Sequence, residues 1–164
     1  MIGNDIVDLA LAKVESNWKR NGYLDKIFTK EEQFSILNSD DRDKTVWNLW
    51  SRKEAAYKIY NRQTNIRAYI PSELYCRDLF TIDEIVFGKI ICKGNTYYTR
   101  TEVTSDLVHT VAVNYLSDFE RLKYLKDPVV IVKAKTIPSY YDGSQLKPLS
   151  ISHHGRFKRT VTLF

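Results

Sequence analysis

Residues 41–60 read DRDKTVWNLWSRKEAAYKIY, and this stretch decides how the rest of the chain is read. Val46, Leu49, Trp50, Tyr57 and Tyr60 recur at the three-and-four spacing of a helix with one apolar side. Asp43 or Thr45 is placed to cap its start. Glu54 and Lys58 are four apart and so share a face, with Trp50 one turn earlier on the same stripe. Taken alone, such a pair is also an ordinary feature of exposed helices, worth about 0.2–0.5 kcal/mol. The tryptophans at 47 and 50 argue that this face meets protein or a cleft rather than bulk water.

Upstream of the helix, residues 2–6 read as a short strand in which Gly3 permits a close backbone approach. Asp5 is an uncommon residue type for a strand. Residues 8–20 read as a helix that Asn21-Gly22 ends. Thr29-Lys30-Glu31-Glu32 has the form of a capping box, which predicts a helix over 30–38. Downstream the pattern changes to β-branched and aromatic runs. Strands are predicted over 82–92, 97–103, 107–115, 129–135 and 157–164, with turn signals at Gly94-Asn95 and Ser105-Asp106 and a loop at Asp142-Gly143-Ser144. Helices first and strands after give an α+β fold, with N-terminal helices packed on a mostly antiparallel sheet.

A chain of 164 residues is long enough to bury a core of its own. No run approaches the roughly 20 apolar residues of a membrane helix, and the N-terminus lacks the pattern of a signal peptide. Cys76 and Cys92 have no metal-type spacing, so a reducing, cytoplasmic setting is expected. The net charge of +5 suits nucleic acid, an acidic protein or a phosphorylated small molecule. Eleven tyrosines and three tryptophans could stack bases, but they form no recognisable base-stacking arrangement. A basic RNA-binding module is therefore the second reading, and nucleic acid is not the expected partner.

Asp5 and Glu54, if brought together, would repel unless a cation lay between them. Mg²⁺ suits that role, because it binds through one or two carboxylates and keeps its other positions for water and phosphate. Lys58 could then contact a phosphate as a point charge. No His/Cys cluster suggests zinc, and His153 and His154 would point to opposite faces of a strand. In the segment Ser150-Ile151-Ser152-His153, a strand would place the two serines on one face and Ile151 and His153 on the other. Gly155 permits a turn, and Arg156, Lys158 and Arg159 add positive charge. A serine hydrolase is disfavoured, since no G-x-S-x-G elbow occurs.

At these residues the chain resembles the 4′-phosphopantetheinyl transferase superfamily. The resemblance rests on Gly3-Asn4-Asp5, on Ile27-Phe28-Thr29-Lys30-Glu31-Glu32, on the helix motif from Trp50 to Lys58 and on Ser150-Ile151-Ser152-His153, in that order. The layout is nearer to the small, holo-acyl-carrier-protein synthase type. The chain departs from the larger type at Val7, where a second acid often stands. Residues 88–126 look like a strand-rich insertion in a single domain spanning 1–164. The resemblance implies transfer of the 4′-phosphopantetheine of coenzyme A to a serine of an acidic acyl or peptidyl carrier protein, with loss of adenosine 3′,5′-bisphosphate. It implies Mg²⁺ on Asp5 and Glu54, catalytic roles for Glu54 and Lys58, and coenzyme A contacts from Lys53, Lys58, Ser150 and His153. Lys13, Lys19 and Arg20 are candidates for carrier docking, and the small relatives' trimers make a homo-oligomer the expectation. A non-catalytic coenzyme A binder is the alternative on the same residues.

Overall fold

The structure, a computed structural model, describes residues 1–126, 130–134 and 137–164. Its first strand, β1 (Ile2–Asp8), leads into three short helices, α1 (Leu9–Glu15), α2 (Tyr23–Ile27) and α3 (Lys30–Leu37). The long helix α4 (Arg42–Thr64) follows. The rest of the chain is strands: β2 (Tyr75–Ile82), β3 (Ile85–Cys92), β4 (Asn95–Val103), β5 (Leu107–Val113), β6 (Leu122–Leu125), β7 (Ile131–Ala134), β8 (Ile137–Tyr141), β9 (Leu146–His154) and β10 (Phe157–Leu163). They form two five-stranded antiparallel sheets in the orders β1-β5-β4-β3-β2 and β6-β10-β9-β8-β7. The expected α+β arrangement is what the molecule adopts. No helix of the described residues is long and apolar enough to cross a membrane.

The layers are α4, the first sheet, then the second sheet. Ala55, Ala56, Ile59 and Tyr60 of α4 pack on Ile90, Tyr97 and Ala112. The opposite face of the first sheet meets the second through Ile2, Val111, Val113 and Val161. β5 is covered on both faces, and all seven of its residues are buried, the polar His109 and Thr110 included. Each fully buried large aliphatic side chain contributes about 1.5–3 kcal/mol relative to exposure. The stretch 88–126 supplies β4, β5, β6 and part of β3, and β5 is the direct neighbour of β1.

Several boundaries differ from the sequence reading. α1 stops at Glu15 rather than near residue 20, because Ser16 turns extended. Asn21-Gly22 therefore opens a helix instead of closing one, with Gly22 left-handed at φ +76° ahead of Tyr23. The capping box at Thr29 and Glu32 forms as read. α4 is capped by Asp41, which accepts from Lys44 N at 3.0 Å. Asp43 is taken up by the Trp18 indole N–H at 2.6 Å, and the Thr45 hydroxyl donates to Asp41 O. The turn before β4 is Lys93-Gly94, both with positive φ. β2, β6 and β8 had no counterpart in the sequence reading. Of the strand expected over 129–135, Ile131–Ala134 forms β7, and its two ends lie outside the described residues.

Candidate active site

Gly3 sets the position of the site. A Cβ there would collide with the Ala55 carbonyl oxygen and press on Ile59, so only glycine lets β1 lie directly on the backbone of α4. Strand alternation then gives the odd residues of β1 to α4 and the even ones to the second sheet. Asp5 faces α4, where the Ser51 hydroxyl donates to its carbonyl at 3.4 Å. Lys58 Nζ donates to Asn4 O at 2.6 Å and stands 3.7 Å from Asp5 Oδ1. Asp5 Oδ2 is buried and has no hydrogen-bond partner among the described residues.

Asp5, Glu54 and His153 line one cavity of about 360 Å³, walled by Tyr23, Trp47 and Trp50. Burial and the nearby Glu54 charge raise the Asp5 carboxyl to about 7 against the opposing pull of Lys58. Glu54 is also raised, chiefly by burial. Two carboxylates held at such cost, one with a lone buried oxygen, match a hard cation that takes few protein ligands. No third acid from β1 joins them. Val7 is buried in the core. Both Asp8 oxygens are occupied: they cap α1 and take the Arg156 guanidinium at 2.9 Å and its N–H at 3.0 Å. Among the described residues, no group of three metal-type side chains comes together.

Lys58 also borders a second, more polar recess of about 450 Å³, with Asn61, Arg62, Arg67 and Ile151. Phosphate oxygens would find three cationic side chains there. A groove of about 540 Å³ runs along α1 past Lys13, Trp18 and Lys19, and it shares Ala12, Ser16 and Trp47 with the carboxylate cavity.

Not every side chain predicted for the site reaches it. Lys53 is fully buried on another face of α4, where its Nζ donates to Pro71 O and Leu74 O and pairs with Glu32 at 2.8 Å. It has no room to meet a substrate, and that expectation is corrected. Ser150 is also fully buried, and its hydroxyl accepts the Asn4 N–H at 2.9 Å, so it ties β9 to β1 rather than lining a pocket. Ser152 accepts from the Asn4 side chain at 2.8 Å in the same way. His153, on the other face of β9, is exposed at the cavity. Of the three basic residues assigned to the first helix, only Lys13 is on α1. Lys19 and Arg20 lie in the turn after it, over the rings of Trp18 and Tyr23.

Sequence reasoning missed Asn4 and Tyr69. Asn4 is the hub that both C-terminal serines and Lys58 address, and its place inside the Gly-x-Asp motif was the available signal. Tyr69 lies in an irregular segment, and no periodicity pointed to it.

A family model described as the 4′-phosphopantetheinyl transferase superfamily matches residues 1–112, about two thirds of the chain. No curated protein matches. The matched span contains β1 with Gly3 and Asp5, the capping box at Thr29 and the whole of α4, the elements that meet at the carboxylate cavity. On that match the chain belongs to the 4′-phosphopantetheinyl transferase superfamily.

Proposed function

We propose that this chain transfers the 4′-phosphopantetheine of coenzyme A to a serine of an acidic acyl or peptidyl carrier protein. The observation that carries the reading is the meeting of Asp5, Glu54 and Lys58 where β1 touches α4. In this reaction the serine oxygen attacks the phosphorus bearing pantetheine. The bond to the bridging oxygen of the diphosphate breaks, and adenosine 3′,5′-bisphosphate leaves with that oxygen. Such chemistry needs positioning and charge neutralisation more than a protein nucleophile.

Asp5 and Glu54 would hold Mg²⁺, which when bound supplies positive charge to the diphosphate. Lys58 orients a phosphate oxygen from the side of the polar recess. Arg62 and Arg67 in that recess suit the remaining phosphate of the nucleotide end. Glu54, directly or through water, accepts the serine proton. His153 lines the coenzyme A side of the cavity.

Lys13, Lys19 and Arg20 would steer the acidic carrier toward the α1 groove. We read residues 1–164 as one unit, since β9 brings His153 to the cavity formed by β1 and α4, and place it in a reducing, cytoplasmic setting on its free Cys76 and Cys92. The trimer implied by the small-type resemblance belongs to the same proposal and is readable by sedimentation.

The test is mass spectrometry of an apo carrier protein incubated with the chain, coenzyme A and Mg²⁺, with an EDTA arm. A gain of one phosphopantetheine, lost with EDTA, is expected. No gain on several acidic carriers by a folded sample that binds coenzyme A would overturn the catalytic reading.

A further inference from the structure

Tyr69 belongs to no motif, yet the packing aims it at the site. Trp50, Glu54 and Tyr57 lie on one face of α4. The Tyr69 ring meets both flanking rings edge-on, Trp50 at 5.8 Å and 76° and Tyr57 at 4.9 Å and 70°. A ring that touches both lies across the glutamate between them. Its hydroxyl is buried and makes no hydrogen bond of ordinary geometry among the described residues, although buried hydroxyls are nearly always paired. Burial and then the Glu54 charge, which stands against that hydroxyl, oppose its ionisation. The segment that follows is fixed in place, because Lys53 holds the carbonyls of Pro71 and Leu74.

We propose that Tyr69 is a positioning residue for Glu54: its O–H is a held donor that takes one carboxylate oxygen and leaves the other for a divalent cation. The inference rests on the metal role given to Glu54 above. A carboxylate that ligates a cation is aimed by the donor on its far oxygen, and loss of such a donor typically weakens metal affinity about 10–100-fold. Two buried polar groups without partners among the described residues, the Tyr69 hydroxyl and Asp5 Oδ2, adjoin the same carboxylate. An ion shared by Asp5 and Glu54 gives both of them a purpose.

Tyr69→Phe keeps the ring and its two edge contacts and removes only the donor. Mn²⁺ binding to the full chain, read by electron paramagnetic resonance at pH 8, is the measurement, with Glu54→Gln alongside. The expected result is a dissociation constant raised about tenfold or more in Tyr69→Phe, with the melting temperature unchanged. 4-Aminophenylalanine at position 69, which restores a donor on the same ring, should recover the wild-type constant. It also decides the matter if the phenylalanine variant loses its fold. Undiminished binding by Tyr69→Phe, with tight binding by the wild type and loss in Glu54→Gln, overturns this inference alone. Absence of Mn²⁺ binding in the wild type overturns the metal reading and this inference with it.

Discussion

Lys53 and Lys58 stand on the same helix, each beside a carboxylate, and they show two different uses of one pairing. Around Lys53 every valence is filled. Its ammonium holds two carbonyls and Glu32, and Glu32 in turn accepts from Thr29 N at 2.9 Å and Cys76 N at 2.8 Å. Lys53 is wholly buried, whereas the Lys58 side chain is 29% exposed. Lys58 holds one carbonyl and shares a looser contact with Asp5, whose second oxygen is left over. The first arrangement is closed and fixes a loop and a sheet edge to the helix. The second is open, and on the proposed function a cation and a phosphate would complete it.

The comparison breaks most visibly if the two lysines are exchanged for methionine. Lys53→Met leaves Glu32 buried without its cation and should cost about 3–5 kcal/mol in denaturant unfolding. Lys58→Met should cost about 1 kcal/mol or less, since the Lys58 side chain is partly exposed and its contact with Asp5 is loose at 3.7 Å, while phosphopantetheine transfer falls steeply. Equal losses of stability in the two variants would erase the distinction.

Glu54→Gln should lower the transfer rate about 10²–10³-fold, the usual cost of one charge-stabilising group at a reacting centre. The fold should be unharmed, because Glu54 and Asp5 repel each other. A rate assay and a melting curve on one preparation read both. Gly3→Ala should be milder for the rate and harder on the fold. The added methyl pushes β1 off α4 at a cost of about 1–3 kcal/mol, and transfer drops as Asp5 moves from Glu54.

Two further effects lie in pH. Without metal, folded Asp5 keeps a proton up to about pH 7 that the unfolded chain releases near 4. Stability from this group is therefore whole below about pH 4, falls as pH rises through that window, and is level above it. Asp5→Asn should flatten the slope. If Asp5 ligates the cation as proposed, Mn²⁺ affinity should climb over the same window, because a ligand must lose its proton. Asp8 runs the other way. The Arg156 guanidinium holds its carboxyl well below the usual range, so its contribution is present above about pH 4 and is lost as pH falls. Asp8→Asn should remove that acid-side loss in a melting series.

The readable parts of the sequence were those whose signal is local. α4 announced itself through its apolar spacing, α3 through a capping box confined to four residues, and a close backbone approach at β1 through a glycine, though the sequence did not name α4 as the element approached. β2 left no trace, because Tyr75–Ile82 is an edge strand with seven exposed residues of eight, so no face alternates. Lys53 and Lys58 looked alike because their difference depends on Glu32, Pro71 and Asn4, all remote in sequence. Ser150 was placed on the correct strand face, but that face turned out to be the packed one. Tyr69 acquires its neighbours only when an irregular segment folds back over α4.

Glu32 closes the box of α3, neutralises Lys53 and anchors the start of β2. Three elements thus hang on one carboxylate, and this constrains how the protein can diverge. In a mutational library selected only for folding, positions 32 and 53 should be retained or replaced together. Positions 54 and 58 should drift freely there, and should become fixed only when the selection demands turnover.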